Sequence, residues 1–186
     1  MEPESKGSFQ EIVTFALIAL AIVIPVRLFI AQPFIVHGAS MEPTFESGEY
    51  LIVDQLSYDF HAPKRGDVII MRYPKDPSTF FIKRIIGLPG ETVEIAGKDV
   101  IIHPADGSQS FTLDESFLDP ARVQNEFVSY VVEPGNYFVM GDNRIESSDS
   151  RTWGLLPKSD VVGHAFIRLF PITRIGVLPG EVTLQQ

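Results

Sequence analysis

The sequence predicts a mainly β domain behind one N-terminal transmembrane helix. Three observations carry this reading. The apolar excess of the 186-residue chain is gathered at one end. Past residue 31 the pattern becomes a series of short apolar runs of strand length. These runs are separated by turn residues, the chain holding fourteen Pro and fourteen Gly. Short strands between frequent breakers read as an antiparallel sandwich or barrel.

The helix comes first. Ile12 to Val26 is IVTFALIALAIVIPV, without a charge, and after Arg27 the run LFIA continues to Ala31. About twenty helical residues span about 30 Å, the thickness of the hydrocarbon core. Arg27 is near the end of the run, where its stem can carry the charge to the headgroups. A buried core helix and a cleaved secretory leader are the competing readings. A leader wants a basic start, whereas MEPESKGSFQE has three Glu and one Lys. The expected division is a tail over 1–11, an anchor over 12–31 and a β domain over 32–186. The flanking charges are too few to orient the anchor.

Strands are expected at Phe34–Val36, Tyr50–Val53, Asp67–Tyr73, Phe80–Ile86, Thr92–Ile95, Val100–His103, Phe127–Val132, Tyr137–Met140 and Val162–Leu169. Gly48, Pro63–Gly66, Pro74–Pro77, Leu88–Gly90, Asp106–Gly107 and Pro134–Gly135 break them apart. Residues around 97–130 contain the most polar stretch and are expected to form a less regular, β-rich insertion. No second continuous helix is evident.

Composition removes several chemistries. A net charge of -9 without a basic stripe argues against a nucleic-acid partner. The absence of cysteine removes disulfides, thiol nucleophiles and thiolate metal sites. The four histidines, at 37, 61, 103 and 164, do not have metal-ligand spacing. No metal and no cofactor are expected. Without a histidine partner the usual serine triad is hard to build, and a serine–lysine pair is the variant that remains.

The stretch TFFIKRIIG, residues 79–87, contains the lysine that does not fit. Alternation puts Phe81, Lys83 and Ile85 on one face and Arg84 on the other. A free lysine titrates near 10.4, and a general base works best around 7–8. Burial shifts lysine that way, at a cost of about 4 kcal/mol for about three units. That is a large share of the roughly 5–15 kcal/mol a domain has in total. The strand alone leaves two readings open, a buried amine with a use or an edge lysine reaching water.

Two loops supply possible partners. In FIVHGASMEPTF, residues 34–45, a short apolar strand leads into His37-Gly38-Ala39-Ser40, and Pro43 restricts the bend that follows. At ~3.6 Å per residue, Ser40 is within about 32 Å of the end of the anchor. In GDNRIESSDSRTWG, residues 141–154, Ser147, Asp149 and Arg151 alternate and would share a face if the segment is extended. A hydroxyl there could hold a deprotonated amine, and Asp149 could pair with an arginine. A turn serine and a solvated loop are the plain alternatives.

Together these segments resemble the bacterial type I signal peptidases, membrane-anchored Ser–Lys proteases. Ser40-Met41-Glu42-Pro43-Thr44 is similar to the family's nucleophile box. Arg65-Gly66-Asp67-Val68 is similar to its R-G-D box, and Phe81 to Glu91 to its lysine box. Gly141-Asp142-Asn143-Arg144 with Ser147, Asp149, Ser150 and Arg151 follows its G-D-N-R-x-x-S-x-D-S-R box without a departure. The resemblance implies antiparallel sheets of the signal-peptidase type, coiled and barrel-like. It implies Ser40 as nucleophile and Lys83 as general base, with Ser147 orienting the amine and Asp142 supporting the region. Asp149 would pair with Arg84 and Arg151. The oxyanion donor would be the Ser40 backbone N–H, since Gly38 stands where some members have a serine. Phe34, Val36, Met41 and Ile82 would form an apolar wall for small residues before the cut. The implied partners are exported preproteins and the lipid bilayer, with no nucleic acid and no metal. The implied location is the cytoplasmic membrane, single-pass, with the catalytic domain on the extracytoplasmic face. Two rivals are a self-cleaving repressor with the same dyad and a non-enzymatic anchored β module. The acidic chain, with an apolar helix where a repressor carries its DNA-binding domain, disfavours the first. The four boxes in order disfavour the second.

Overall fold

The computed structural model describes residues 5–25, 31–123, 125–182 and 184. Helix α1, Ser5–Pro25, contains most of the apolar N-terminal run. Among the described residues no helix is long and apolar enough to cross a membrane. Residues 26–30, including Arg27, lie outside the described residues. Ala31, expected to end the anchor, instead begins strand β1, Ala31–Ile35.

All nine expected strands are present, with ends shifted by a few residues. They are β1, β2 (Tyr50–Asp54), β3 (Val68–Tyr73), β4 (Asp76–Gly87), β5 (Thr92–Gly97), β6 (Asp99–His103), β8 (Glu126–Val131), β9 (Asn136–Met140) and β11 (Val161–Phe170). Three two-residue strands complete the set, β7 (Phe111–Thr112), β10 (Leu156–Pro157) and β12 (Gly176–Val177). They are too short to leave a period-2 pattern in the sequence. Two helical turns were also not evident from the sequence, α2 at Ser57–Phe60 and α3 at Ser150–Trp153.

The strands form two antiparallel sheets. The larger follows the order β1-β2-β11-β3-β4-β9-β10, with β12 added to β11. Among the described residues no strand pairing closes this path into a barrel. The smaller has the order β7-β6-β5-β8; the stretch expected to be a less regular, β-rich insertion supplies β6, β7 and most of β8, and its residues 104–123 hold only β7 and one 3-10 turn. Its buried Val93, Ile95, Val100 and Ile102 pack with Ile86, Phe138 and Met140 of the larger sheet.

Strand β4 settles the question raised by Lys83. It lies between β3 and β9, with Lys83 opposite Ile69 and Arg84 opposite both Val68 and Met140. The strand is therefore interior. Its first half is largely exposed, and every residue from Ile82 to Gly87 is buried. Lys83 sits where the strand enters the body of the domain.

Candidate active site

Ser40 is carried by the loop between β1 and β2. The loop is closed at its neck, where Val36 N donates to Glu49 O and Gly48 N to Val36 O, both at 2.9 Å. Gly38 has φ +87, a left-handed conformation that favours glycine. Met41 and Phe45, 1% and 0% exposed, pin the loop into the core with Leu51, Val53 and Ile82. Asn143, from the loop after β9, ties down the segment around Ser40. Its backbone N donates to Ser40 O at 3.0 Å and its Nδ2 to Ala39 O at 3.1 Å.

The Lys83 amine meets this loop. Its Nζ is 2.8 Å from Ser40 Oγ and donates to Ile82 O at 2.9 Å. The residue is 2% exposed, and the Phe81 ring centroid is 5.1 Å from Nζ. Burial pushes the lysine down to about 8, against the pull of the Asp149 and Asp142 carboxylates, with Arg151 adding to the push. A neutral amine forms readily at that value. Its lone pair can accept the serine proton while one N–H is held by Ile82 O.

The supporting charges pair differently from the expectation. Arg84, 0% exposed, does not bind Asp149. Its Nε and Nη2 grip Asp142 at 2.8 and 2.6 Å in a two-pronged pair, and its Nη1 donates to Gly66 O at 2.8 Å and Gly180 O at 2.7 Å. Gly66 is the middle residue of the R-G-D box, which explains why that box accompanies the lysine box. Its neighbour Arg65 donates to Ile86 O at 2.5 Å and to Glu91 at 2.7 Å. Asp142 also accepts from Thr44 Oγ1 at 2.6 Å, so a single carboxylate joins the serine loop to the lysine strand.

Asp149 does pair with Arg151, as expected, through Nε and Nη2 at 2.8 Å each. The segment is not extended, however. Asp149 caps α3 by accepting from the Arg151 N–H at 3.2 Å, and it also accepts from Gly141 N at 3.1 Å. Burial raises the Asp149 carboxyl, but the Arg151 guanidinium, the Ser147 hydroxyl and the Gly141 N–H outweigh it and hold it low. Ser147 Oγ, expected against the amine, is buried and acts instead on the Asp149 carboxylate, which it helps to hold low. It lies beside Gly141, where a Cβ would collide with Ser147 Oγ and Ser40 O. Gly141 thus admits a close approach of three chain segments, a role that its place in a turn-like tripeptide did not reveal.

An open cleft of about 90 Å³ runs past the pair, lined by Phe34, Val36, Ile82, Ser40 and Lys83. His37, Ile70, Phe80 and Phe81 also line it, and sequence reasoning did not assign them there. The Phe34 and Phe80 rings meet edge to face at 5.5 Å across the cleft. Met41, expected on this wall, belongs to the core beneath the loop instead.

Comparison with known proteins shows the family of the chain. A family model described as signal peptidase, peptidase S26, matches residues 9–170. The chain is 38% identical over 183 residues to a probable signal peptidase I-1 of Synechocystis sp., covering 95% of this chain and 90% of that protein. It is 35% identical over 179 residues to a signal peptidase I P of Bacillus subtilis subsp. natto, covering 94% and 96%. A crystal structure of a signal peptidase I from Enterococcus faecalis is 30% identical, covers 56% of this chain and 97% of its own, and has a TM-score of 0.45. The chain belongs to the signal peptidase family, peptidase S26, a family of serine endopeptidases.

Proposed function

We propose that this chain removes N-terminal signal peptides from exported preproteins by a Ser40–Lys83 mechanism. The observation that carries the reading is the buried Lys83 amine 2.8 Å from Ser40 Oγ. Lys83 in its deprotonated form, which the depressed pKa of about 8 makes accessible, accepts the hydroxyl proton. Ser40 Oγ attacks the scissile carbonyl, and the developing oxyanion is held by the Ser40 backbone N–H. Lys83, now charged, gives its proton to the leaving amine. Water then enters, loses a proton to Lys83 and hydrolyses the acyl-enzyme, restoring both groups. Asp142 with Arg84, and Asp149 with Arg151, hold the two loops against β4. Ser147 stands beside this assembly, and its role is to orient the amine during turnover.

Phe34, Val36 and Ile82 form an apolar wall around a small volume, which suits Ala before the cut. Substituting Leu for Ala at the residue before the cut in a preprotein should lower kcat/KM by about 10–200-fold. Equal rates for the two substrates would contradict this reading of the wall.

The anchor, without Ala31, which begins β1, is the remaining part of the proposal. It rests on the uncharged run from Ile12 to Val26. Ser40, nine residues beyond Ala31, is then close to the membrane surface on the extracytoplasmic face. Release of the full chain from membranes by a carbonate wash would contradict it.

A further inference from the structure

The serine loop ends at Glu49, which is 2% exposed and takes no part in the chemistry above. Two cations share its carboxylate. Arg168 Nε, from β11, is 2.9 Å from Oε2, and Arg174 Nη1 is 2.9 Å from Oε1. Burial raises the Glu49 carboxyl more than these two cations lower it. A buried ion pair is weak as a stability device, because desolvation cancels much of the attraction. Its value must then be sought in what it holds.

The side-chain hydrogen bonds of both arginines run to the serine loop. Arg168 Nη2 donates to Thr44 O at 2.6 Å, and its Cζ is 4.7 Å from the Phe45 ring centroid. Arg174 Nη2 donates to Pro43 O at 3.2 Å and Thr44 O at 3.1 Å, and its Nη1 to Glu46 at 3.0 Å. Thr44 is also the residue whose Oγ1 donates to Asp142, the partner of Arg84. It is therefore held from two sides. Its hydroxyl ties it to the lysine strand, and its carbonyl ties it to β11.

We propose that Arg168 is a positioning residue for the reaction: by fixing Thr44 O and Glu49 it sets where Ser40 stands relative to Lys83. Arg168 is 6% exposed, whereas the Arg174 side chain is a third exposed, so Arg168 is the buried member of the brace. A misplacement of about 1 Å at a reacting atom can cost about 100-fold in rate. Arg168 is not among the residues lining the substrate cleft. Its loss should therefore slow the chemical step without weakening substrate binding.

This inference rests on the Ser40–Lys83 reading, and its test separates the two. kcat and KM are measured on a preprotein-derived peptide for wild type, Arg168→Met, Arg168→Lys and the double variant Arg168→Met with Glu49→Gln, corrected for the folded fraction. The double variant removes the stranded buried carboxylate and keeps the fold if Arg168→Met alone does not. The expected result is a kcat lower by about 10–100-fold in both Met variants, with KM within about twofold of wild type. Arg168→Lys supplies one point cation instead of a planar fork. It should recover thermal stability without recovering the full rate. Wild-type kcat in the double variant, or a raised KM at unchanged kcat, would overturn the positioning role. Failure of the wild type to cleave the peptide would instead count against the dyad reading itself.

Discussion

Lys83→Met should abolish cleavage while leaving the domain at least as stable as wild type. The loss in kcat is expected to exceed about 10³-fold, as does removal of the base or nucleophile in serine proteases. Ser40→Ala should lose about as much, and the double variant little more, because the two groups act as one unit. The stability half follows from the lysine's surroundings. Its pKa is depressed to about 8 by burial. For a base lowered in the folded state, the folded chain gives up its proton before the unfolded chain does. Folding is thus penalised by the full amount below about pH 8, and the penalty fades as pH rises toward the unfolded value near 10.4. At neutral pH it is on the order of 3 kcal/mol. Methionine removes it and leaves Ile82 O without its donor, an offset of about 1–3 kcal/mol. Thermal unfolding near pH 7 should show a midpoint no lower than wild type. A clear drop in midpoint together with the lost rate would mean that Lys83 is structural.

The opposite outcome is expected for its neighbour. Arg84→Met should destabilise the domain by about 3–5 kcal/mol, because it leaves Asp142 as an uncompensated buried charge. Asp142 is 1% exposed, and both carboxylate oxygens are engaged by Arg84. Gly66 O and Gly180 O lose a donor in the same substitution. Adding Asp142→Leu should restore part of the loss, since the pair is replaced as a whole. Denaturant unfolding of the two single variants and the double variant measures the coupling. A cost under about 1 kcal/mol for Arg84→Met is the value for a solvated pair, and would contradict the buried geometry. Adjacent residues of one strand thus give opposite signs. Lys83 spends stability on chemistry, and Arg84 secures the frame that holds it.

The two residues of the proposed dyad stood out in the sequence because each broke a local rule. Lys83 interrupts the apolar face of a strand, and Ser40 follows a strand on a bend with small residues. The strands of the larger sheet were legible from breaker spacing, apart from two-residue pieces too short to show a period. Ionic partners were not legible. Asp142 and Asp149 lie seven residues apart in one polar loop, and nothing local tells which of them meets Arg84. The loop's path decides, and that path turns on the α3 cap at Asp149, where the Asp-Ser-Arg sequence gave a signal that alternation obscured. Met41, put on the wall by the resemblance alone, lies in the core because the loop after β1 turns its side chain inward. Arg168 carries no local signal of a role between Ile167 and Leu169. Its role depends on β11 lying between β2 and β3, a neighbourhood fixed only by tertiary pairing.

The central claim is that Lys83 works as a neutral amine inside an apolar wall. The pH dependence of kcat/KM on a preprotein-derived peptide tests it most directly, since it reports the essential groups of the free enzyme. The rate should rise with pH through a single limb near 8, the value to which burial brings Lys83. A limb only near 10.4, the value of a solvated lysine, would contradict the account.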